Sequence, residues 1–524
     1  MTPSTTPSET LPELLRQSSA NYGDHPAIHF AGRTTTHREF GAATDRVAAG
    51  LASLGFSPGD RIGLYCANSD AFPIAYFGIL KAGCTVVPAN LLLNPKEVAY
   101  IYRDAAVKAV IYLDLLGKAV AGFRAELPPD IRYLCIGNAP LDPADTSFLS
   151  LLATPGDPPQ LSLDPAQAIA VILYTSGTTG YPKGAMLTHR NLAANASSIS
   201  EALQLEAGKD ILLTVLPMFH AFAATVCMVY PLLNGCTIVP LPKFDPQQVA
   251  DAIAAHRVTF FAAVPSMYGS LLKLPETEIP KFQSLRVCVS GGAAMPIELM
   301  NQFEAKFGKE IYEGDGPTEC SPCTCVNPIG GPRKIGSVGQ VIPRVEMKIL
   351  DDHANELPTG EVGEICVRGP NVMKGYWNQP EETAASFFGE WFRTGDLGKV
   401  DEDGYFYILD RIKDMIIVNG MNVYPRVIEE VLYKHPAIRE AAVVGQPDSV
   451  HGEKVIAHVV LHEGQTLDAP AVRAYCREHL GRHEIPRDIR FLPQLPRNAG
   501  GKVLKRELRL HGEHERGVGQ SPTP

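Results

Sequence analysis

The order of apolar and polar residues predicts that helices and strands alternate along most of the chain. Two helices begin with a capping box, in which a Thr or Asn side chain caps the first turn and a Glu follows three positions later, at Thr36 and at Asn94. The second of these helices lies between two short apolar runs, 84–88 and 109–113, which predict buried strands. Strand, helix and strand in this order predict a largely parallel sheet with helices on both faces.

Three stretches depart from this alternation. Residues 127–165 contain many Pro and Asp residues and predict a connection made mostly of loop. Beyond about residue 330, short strands separated by Gly, Pro and Asp predict a small β-barrel. A compact mixture of helices and strands follows residue 410 and predicts a second domain.

The length of the chain, 524 residues, is too great for one hydrophobic core. We therefore predict an α/β fold with two domains. The large N-terminal domain, residues 1–410, should contain α/β subdomains with parallel sheets and the small barrel. The smaller domain, residues 411–524, should be a mobile α+β unit, with the hinge near residues 410–414.

Composition and charge narrow the classes of function. The chain is 45% hydrophobic and 20% charged, with a formal net charge of −10, which is typical of a mildly acidic globular protein. This balance argues against nucleic acid as the main partner, because binding to a phosphate backbone usually needs a basic face. Residues 1–9 have neither the basic head nor the apolar core of a secretory signal, so a cytoplasmic location is expected.

Residues 222–241 are the most membrane-like part of the chain. Pro231 and Gly235 interrupt them, so a buried helix followed by a strand is favoured over a transmembrane segment. The sequence leaves peripheral membrane contact and a homodimer open.

Eleven cysteines are scattered along the chain with no paired spacing, which favours reduced thiols over a disulfide framework. Cys320, Cys323 and Cys325 are close enough to suggest half of a zinc site. No second pair and no nearby His completes four ligands, so free thiols are favoured here too.

Residues 174–184, YTSGTTGYPKG, follow an apolar run and have the composition of a phosphate-binding loop. The glycines let phosphate approach backbone N–H groups, while the hydroxyls donate hydrogen bonds and Lys183 supplies a positive charge. An incidental surface loop would explain a shorter match, but ten ordered positions weigh against it. The common nucleoside-triphosphatase loop is excluded, because there Ser or Thr follows Gly-Lys, whereas Lys183 lies between Pro182 and Gly184.

Two further segments place aromatic or small residues at predicted strand ends. His220 stands among aromatic residues after the run 211–216, and a core histidine is its simplest interpretation when taken alone. The small residues 291–293 follow the run 285–289, and ligands of open α/β sheets bind at such strand ends. A tight turn is the purely structural alternative for the second segment.

Five later segments carry oxygen donors, cations or flexible turns. They are YEGDGPTE at 312–319, WFRTGDLG at 391–398, DRIKD at 410–414, IVNGMNVYP at 417–425 and PRNAGGK at 496–502. An Asp in a Gly turn is ordinarily structural, and a lysine beside two glycines is ordinarily a solvated surface residue.

In this order, the segments resemble the motifs of the adenylate-forming superfamily, which includes acyl-CoA synthetases, peptide-synthetase adenylation domains and firefly-type luciferases. Residues 415–430 look most like those of fatty-acyl-CoA ligases. The resemblance implies an ATP-dependent acid–thiol ligase with Mg²⁺, ATP and CoA, acting on a small-molecule carboxylic acid. The carboxylate would attack the α-phosphate of ATP, releasing pyrophosphate and leaving an acyl-adenylate, and CoA would then take the acyl group.

The resemblance assigns expected roles residue by residue. The expected ATP-binding residues are Thr175, Ser176, Gly177, Thr178, Thr179, Gly180, Lys183, Gly292, Asp315, Gly316, Thr318, Asp396, Arg411 and Lys502. The residues expected to contact the acyl group or CoA are His220, Gly291, Gly292, Ala293 and Gly420. Thr318 would bond the α-phosphate, Glu319 would hold Mg²⁺, and Lys502 would bridge the substrate carboxylate and the α-phosphate. Together with His220 these form the expected catalytic set, and Lys413 is the expected hinge pivot.

Asp315 departs from the superfamily pattern. Most members carry an aromatic residue, usually Tyr, at this position, and its ring stacks on adenine. A carboxylate offers no ring face, so we expect weaker stacking with the nucleotide class unchanged.

The favoured substrate is a medium- or long-chain fatty acid, because the small residues 291–294 would leave an apolar wall. An aryl-acid–CoA ligase and a freestanding acyl-AMP ligase that loads a carrier protein stay open as alternatives. CoA is the favoured acceptor because no carrier domain follows Lys502, and an oxidative luciferase is remote. A catalytically dead nucleotide-binding module would need Glu319, Asp396 or Lys502 replaced, and all three are present.

Overall fold

A computed structural model describes residues 9–175, 182–448, 450–497 and 503–510. Its helices are α1 Leu11–Asn21, α2 His37–Ser53, α3 Ala71–Lys81, α4 Pro95–Asp104, α5 Gly117–Arg124, α6 Phe148–Leu152, α7 His189–Ala202, α8 Ala221–Ala224, α9 Tyr230–Leu233, α10 Pro246–His256, α11 Pro265–Leu271, α12 Ile297–Phe307, α13 Pro380–Ala385, α14 Pro425–Tyr433, α15 Ala469–His479 and α16 Lys505–Leu510. A π-helical turn, Thr225–Val229, joins α8 to α9, and 3-10 helices span Asp114–Leu116, Glu276–Phe282, Thr318–Cys320 and Ile412–Asp414.

The strands of the large sheets come first along the chain. They are β1 Pro26–Phe30, β2 Arg33–Thr36, β3 Arg61–Tyr65, β4 Thr85–Pro88, β5 Ala109–Leu113, β6 Arg132–Ile136, β7 Thr146–Ser147, β8 Ile169–Thr175, β9 Lys183–Thr188, β10 Ile211–Thr214, β11 Thr237–Pro240, β12 Phe260–Ala263, β13 Val287–Ser290, β14 Ile311–Asp315, β15 Cys325–Val326 and β16 Gln340–Val341. The later strands are β17 Glu346–Leu350, β18 Gly363–Arg368, β19 Gly375–Tyr376, β20 Phe387–Phe388, β21 Trp391–Val400, β22 Phe406–Arg411, β23 Ile416–Val418, β24 Met421–Val423, β25 Ile438–Asp448, β26 Gly452–Leu461 and β27 Asp488–Phe491.

Two large sheets, mostly parallel, form the body of the protein. One has eight strands in the order β19-β9-β8-β4-β3-β5-β6-β7, and the other has nine in the order β16-β15-β14-β13-β12-β10-β11-β1-β2. The antiparallel pairs lie toward the edges, where β8 pairs with β9 and β14 pairs with β15. The α/β fold and its parallel sheets are therefore as the sequence predicts.

One apolar core joins the two sheets. It contains Val171 of the first sheet, Val287 of the second and aromatic residues such as Phe72 and Phe77 of α3. All but one of the positions of α3 are buried, as is typical of a helix that is apolar on every side. Burial on this scale holds the strand ends of both sheets in fixed positions.

Local signals predict several elements correctly. Both capping boxes form. The Glu39 and Glu97 carboxylates accept from the backbone N–H groups of Thr36 and Asn94, and the backbone N–H groups of the two Glu residues donate to the Thr36 and Asn94 side chains. The segment 222–241 forms a buried helix and a strand, and no helix within the described ranges is long and apolar enough to cross a membrane.

The stretch 127–165 is less irregular than predicted. Its residues Arg132–Ile136 form β6, which pairs in parallel with β5 inside the eight-stranded sheet. The strand is short and flanked by Pro and Asp, so its neighbours in the sheet, more than its own sequence pattern, determine its conformation.

The region after residue 330 forms an antiparallel sheet with the order β17-β18-β21-β20, and β22 also pairs with β21. Register shifts at Glu364/Cys366 and Leu397/Gly398 mark bulges, which bend strands. No pairing among the described residues joins β17 back to β20 or β22, so this sheet is less closed than the predicted barrel.

The C-terminal region is the α+β unit that the pattern predicts. Strands β24, β23, β26 and β25 form one sheet, β27 adds to β26 in parallel, and α14 and α15 pack on a separate apolar core. The division at residues 410 and 411 and the mobility of this unit stay predictions.

Candidate active site

The two large sheets meet at Glu319. This buried residue lies in the 3-10 helix Thr318–Cys320, shortly after β14. Thr175, the last residue of β8 in the other sheet, donates its hydroxyl to Glu319 Oε1 at 3.4 Å. The strand that leads into the predicted phosphate loop and the predicted metal carboxylate are therefore neighbours.

Tyr376 completes this contact and is a residue that sequence reasoning missed. Its hydroxyl donates to Glu319 Oε1 at 2.9 Å, and both side chains are buried. Burial and then the nearby Glu319 charge raise the pKa of the Tyr376 hydroxyl, so it stays protonated and remains a donor. The segment GYW around it lacks any pattern that would have marked it as part of a site.

Lys183 begins β9 and lies opposite Thr175 in the antiparallel pair. Its ammonium forms an ion pair with Glu382 of α13 and lies 5.3 Å from the centre of the Tyr376 ring. A polyphosphate would compete with Glu382 for this ammonium, because both are anions. Glu382 was also missed, since a Glu in the first turn of a helix is common for other reasons.

Asp396 and Arg411 face each other across β21 and β22. Arg411 Nε donates to Asp396 Oδ1 at 2.7 Å, and the Asp396 charge raises the pKa of Arg411 above its usual value, with smaller contributions from Asp315 and Glu319. The Asp315 and Glu319 charges therefore act on Arg411 as well. The remaining capacity of the buried Asp396 carboxylate suits it to accept further hydrogen bonds from hydroxyl groups.

The segment at Asp315 is held tightly through its backbone. Thr324 donates to the Asp315 carbonyl oxygen from both its N–H and its hydroxyl, at 2.9 and 3.0 Å. A Cβ at Gly316 would lie 1.7 Å from the Pro322 carbonyl oxygen, so only glycine fits at that position. Thr318 is half-buried and lies next to Glu319.

The residues expected to contact the acyl group also come together. His220 is exposed at the start of α8, and its Nδ1 accepts a hydrogen bond from Phe222 N–H at 3.3 Å. A Cβ at Gly291 would lie 3.2 Å from the Phe222 ring, so the ring packs directly on that glycine. Gly292 has a φ of 78° and is exposed, and Ala293 is half-buried beside it. An aromatic ring and small residues thus line one side of this strand end.

Asn68 fixes the loop before His220, and sequence reasoning missed it. Its amide donates to the carbonyl oxygens of Thr214 and Leu216, and its Oδ1 accepts from Met218 N–H at 2.8 Å. Asn68 is buried, so these bonds are shielded from water and define where the loop leaves β10.

The predicted hinge and thiol-tunnel residues lie in the C-terminal region. Lys413 is in the 3-10 helix Ile412–Asp414, and burial, followed by the Arg411 charge, lowers its pKa. Gly420 has a φ of 78° in the turn between β23 and β24. The hairpin is bonded within the C-terminal region, where Ile417 N–H donates to Glu453 Oε2 and Asn419 N–H donates to the His451 carbonyl oxygen, both at 2.8 Å.

Six of the predicted site residues lie outside the described residues. They are Ser176, Gly177, Thr178, Thr179, Gly180 and Lys502. Their roles stay predictions.

The donor set around Glu319 suits Mg²⁺. This cation prefers oxygen ligands and usually binds through one or two carboxylates together with phosphate oxygens. Glu319 offers a carboxylate whose Oε2 accepts no hydrogen bond from the described residues, and the Thr175 hydroxyl is beside it. Within the described residues, no group of three or more His, Cys, Asp or Glu side chains is placed to hold a metal ion together, and burial raises the pKa of the Cys323 thiol to about 12.

Comparison with known proteins supports an AMP-forming acyl-CoA synthetase. Residues 15–377 match the AMP-binding enzyme family and residues 427–502 match the AMP-binding enzyme C-terminal domain. A long-chain-fatty-acid–CoA ligase of Bacillus subtilis (strain 168) is 38% identical over 96% of this chain and 94% of its own length. A feruloyl-CoA synthase of Amycolatopsis sp. is 35% identical over 92% of this chain and 95% of its own.

A solved structure agrees with these relatives in fold. The anthranilate CoA ligase AuaEII in complex with anthranoyl-AMP superposes with a TM-score of 0.89 at 28% identity, covering 98% of each chain. With the family match spanning most of the chain, this protein belongs to the AMP-binding enzyme family and is an AMP-forming acyl-CoA synthetase.

Proposed function

We propose that this synthetase activates a medium- or long-chain fatty acid with ATP and transfers the acyl group to CoA. The observation that carries the proposal is the contact at Glu319, in which a buried carboxylate meets the phosphate-loop strand. The Asp396–Arg411 pair, whose Arg411 pKa is raised in part by the Glu319 charge, supports it. The choice of a fatty acid is supported by the 38% identity to the Bacillus subtilis ligase over nearly the whole chain.

In the first half-reaction, an oxygen of the substrate carboxylate attacks the α-phosphorus of ATP. The bond between that phosphorus and the bridging oxygen of pyrophosphate breaks, and pyrophosphate leaves. Lys183, the hydroxyls and N–H groups of residues 175–180, and Lys502 neutralise the phosphates, while Thr318 bonds the α-phosphate. Such transfers need positioning and charge neutralisation more than covalent help from the protein.

Asp396 and Arg411 hold the nucleotide in this proposal. The Asp396 carboxylate accepts hydrogen bonds from the ribose hydroxyls, and Arg411 keeps that carboxylate oriented through their 2.7 Å hydrogen bond. Glu319 would hold Mg²⁺, which when bound adds positive charge beside the phosphate oxygens.

In the second half-reaction, the CoA sulfur attacks the carbonyl carbon of the acyl-adenylate, and AMP leaves. His220 and the residues Gly291, Gly292 and Ala293 border the acyl group, and Phe222 forms part of its apolar wall. After the C-terminal domain turns about Lys413, Gly420 leaves room for the pantetheine arm of CoA to lie close to the backbone. A flexible glycine with positive φ at a hairpin tip suits such a close approach.

Mass spectrometry of products from a C6 to C18 fatty-acid series tests the substrate class. Each acid is supplied with ATP, Mg²⁺ and CoA, and activity should rise with chain length until the pocket is full, since each buried CH₂ contributes ~0.8 kcal/mol. Parallel reactions with benzoate and ferulate provide the contrast. Turnover of the aryl acids without turnover of the fatty acids would contradict the proposal.

An aryl-acid–CoA ligase is the second candidate. The 35% identity to a feruloyl-CoA synthase and the Phe222 ring packed on Gly291 favour it, because a planar acid stacks on an aromatic wall.

A reaction without CoA but with a carrier protein tests the remaining alternative, in which the acyl-adenylate is loaded onto a protein thiol.

A further inference from the structure

We propose that Tyr376 is a positioning residue that orients the Glu319 carboxylate for the metal and links it to the phosphate-loop lysine. The proposal deepens the proposed function, since it rests on Glu319 as the metal ligand. It adds a residue from a part of the chain that none of the predicted site segments includes.

The two carboxylate oxygens of Glu319 have different surroundings. Tyr376 and Thr175 both donate hydroxyl groups to Oε1, at 2.9 and 3.4 Å, whereas Oε2 accepts nothing from the described residues. The carboxylate is therefore held by one oxygen and keeps the other for a cation. Carboxylates that bind metals are commonly fixed by hydrogen bonds of this kind.

The backbone around Tyr376 is bonded on both sides. Residues 373–377 form a strap that joins the Glu319 turn to β9. Met373 N–H donates to the Glu319 carbonyl oxygen at 2.7 Å, and Trp377 N–H donates to the Gly184 carbonyl oxygen at 2.8 Å. Within the strap, β19 pairs with β9 so that Tyr376 lies opposite Ala185.

Lys183 also contacts Tyr376. Its ammonium lies 5.3 Å from the centre of the Tyr376 ring and pairs with Glu382, while Tyr376 N–H donates to Thr383 Oγ1 at 2.9 Å. One side chain thus contacts the metal carboxylate through its hydroxyl and the phosphate-binding cation through its ring. Cation and carboxylate are held in one geometry by a single rigid group.

A purely structural role is the alternative, and the chain offers a matched control for it. Tyr112, on β5 and away from the site, donates its hydroxyl to the buried Asp145 carboxylate at 2.7 Å. Tyr376→Phe and Tyr112→Phe each remove one buried hydroxyl from a carboxylate and keep the ring. Only the first should change metal binding.

The experiment measures Mn²⁺·ATP binding by electron paramagnetic resonance, alongside the Mg²⁺ dependence of acid-dependent pyrophosphate release. In Tyr376→Phe the metal concentration at half-saturation should rise about 10- to 100-fold, which is the effect typical of losing a hydrogen-bond partner of a metal ligand. Tyr112→Phe should bind the metal as the wild type does. The thermal midpoint of each variant shows that both are folded.

Glu319→Gln separates this proposal from the one that it rests on. If Glu319→Gln loses metal binding while Tyr376→Phe keeps wild-type values, Tyr376 is only structural and the inference is wrong, although Glu319 keeps its proposed role. If Glu319→Gln binds Mn²⁺·ATP as tightly as the wild type, the metal assignment and the role of Tyr376 are both overturned.

Discussion

At the scale of single residues, Asp315 departs from the pattern that the resemblance predicts, which has an aromatic ring at this position. The Asp315 carboxylate contributes to the raised pKa of Arg411. The position therefore offers charge to the site where a ring would offer a stacking surface. The backbone there is fixed by Thr324, so a new side chain would start from the same point.

Asp315→Tyr should lower the Michaelis constant for ATP several-fold. Stacking of a base on an aromatic ring contributes ~1–3 kcal/mol in other proteins, and the ring would restore this contact. Initial rates at varied ATP measure the effect, with Asp352→Tyr, at an exposed position, as the control. An unchanged or higher constant would mean that another group already covers the base, or that the Asp315 charge matters more.

Tyr376, Glu382 and Asn68 show which residues sequence reasoning cannot find. Tyr376 lies 57 positions from its partner Glu319, and Glu382 lies 199 from Lys183, so only the folded chain brings them together. By contrast, Glu319, Asp396 and Arg411 stand in segments whose residue order already resembles known motifs. A sequence motif names the site residues but not the distant residues that orient their side chains.

At the scale of elements, local signals predict helix starts and long apolar strands well. The capping boxes at Thr36 and Asn94 match the structure because their determinants are only a few residues apart. Strand β6 and the open edge of the small antiparallel sheet were not foreseen, since both depend on which strands become neighbours. Pairing across the chain is a tertiary effect that a local pattern does not contain.

The contact between Glu313 on β14 and Arg426 of α14 should make the stability of the fold depend on pH. Glu313 on β14 is 2% exposed, and burial raises its pKa to about 7. Arg426 of α14 lies 3.8 Å from Glu313 Oε1 and opposes this rise, Met295 N–H donates to the same oxygen, and Glu430 and Asp315 add negative charge. The neutral carboxyl is thus the form that the fold favours.

Glu313→Gln should be more stable than the wild type at pH 8 and similar to it at pH 5. The folded pKa lies above the usual 4.5, so the wild type loses stability as pH rises from 4.5 through 7, whereas Gln stays neutral. The rise in the Glu313 pKa from 4.5 to about 7 corresponds to a loss of about 3 kcal/mol at most in the free energy of unfolding. Thermal unfolding across this pH range measures the difference, and a wild type that is the more stable at pH 8 would show that the Arg426 pair outweighs the burial of charge.

At the scale of the whole molecule, the proposed function requires two domains that act in turn. We propose that residues 1–410 bind ATP and the acid and that residues 411–524 move about Lys413. Two side chains of the hairpin that carries Gly420 are exposed, Ile417 at 46% and Met421 at 44%. This exposure is expected if the hairpin enters the active site only in the second half-reaction. We propose that Lys502 enters the site in the first half-reaction, before this hairpin does.

The most direct test compares the two half-reactions in Lys502→Ala. If Lys502 enters the site only for adenylation, this variant should lose acid-dependent pyrophosphate release by at least ~100-fold, the scale expected when a preorganised charge facing a transition state is removed. It should still convert chemically supplied acyl-adenylate and CoA into the thioester at a near-normal rate. An equal loss of both half-reactions in a folded variant would contradict the alternation of domains on which the account depends.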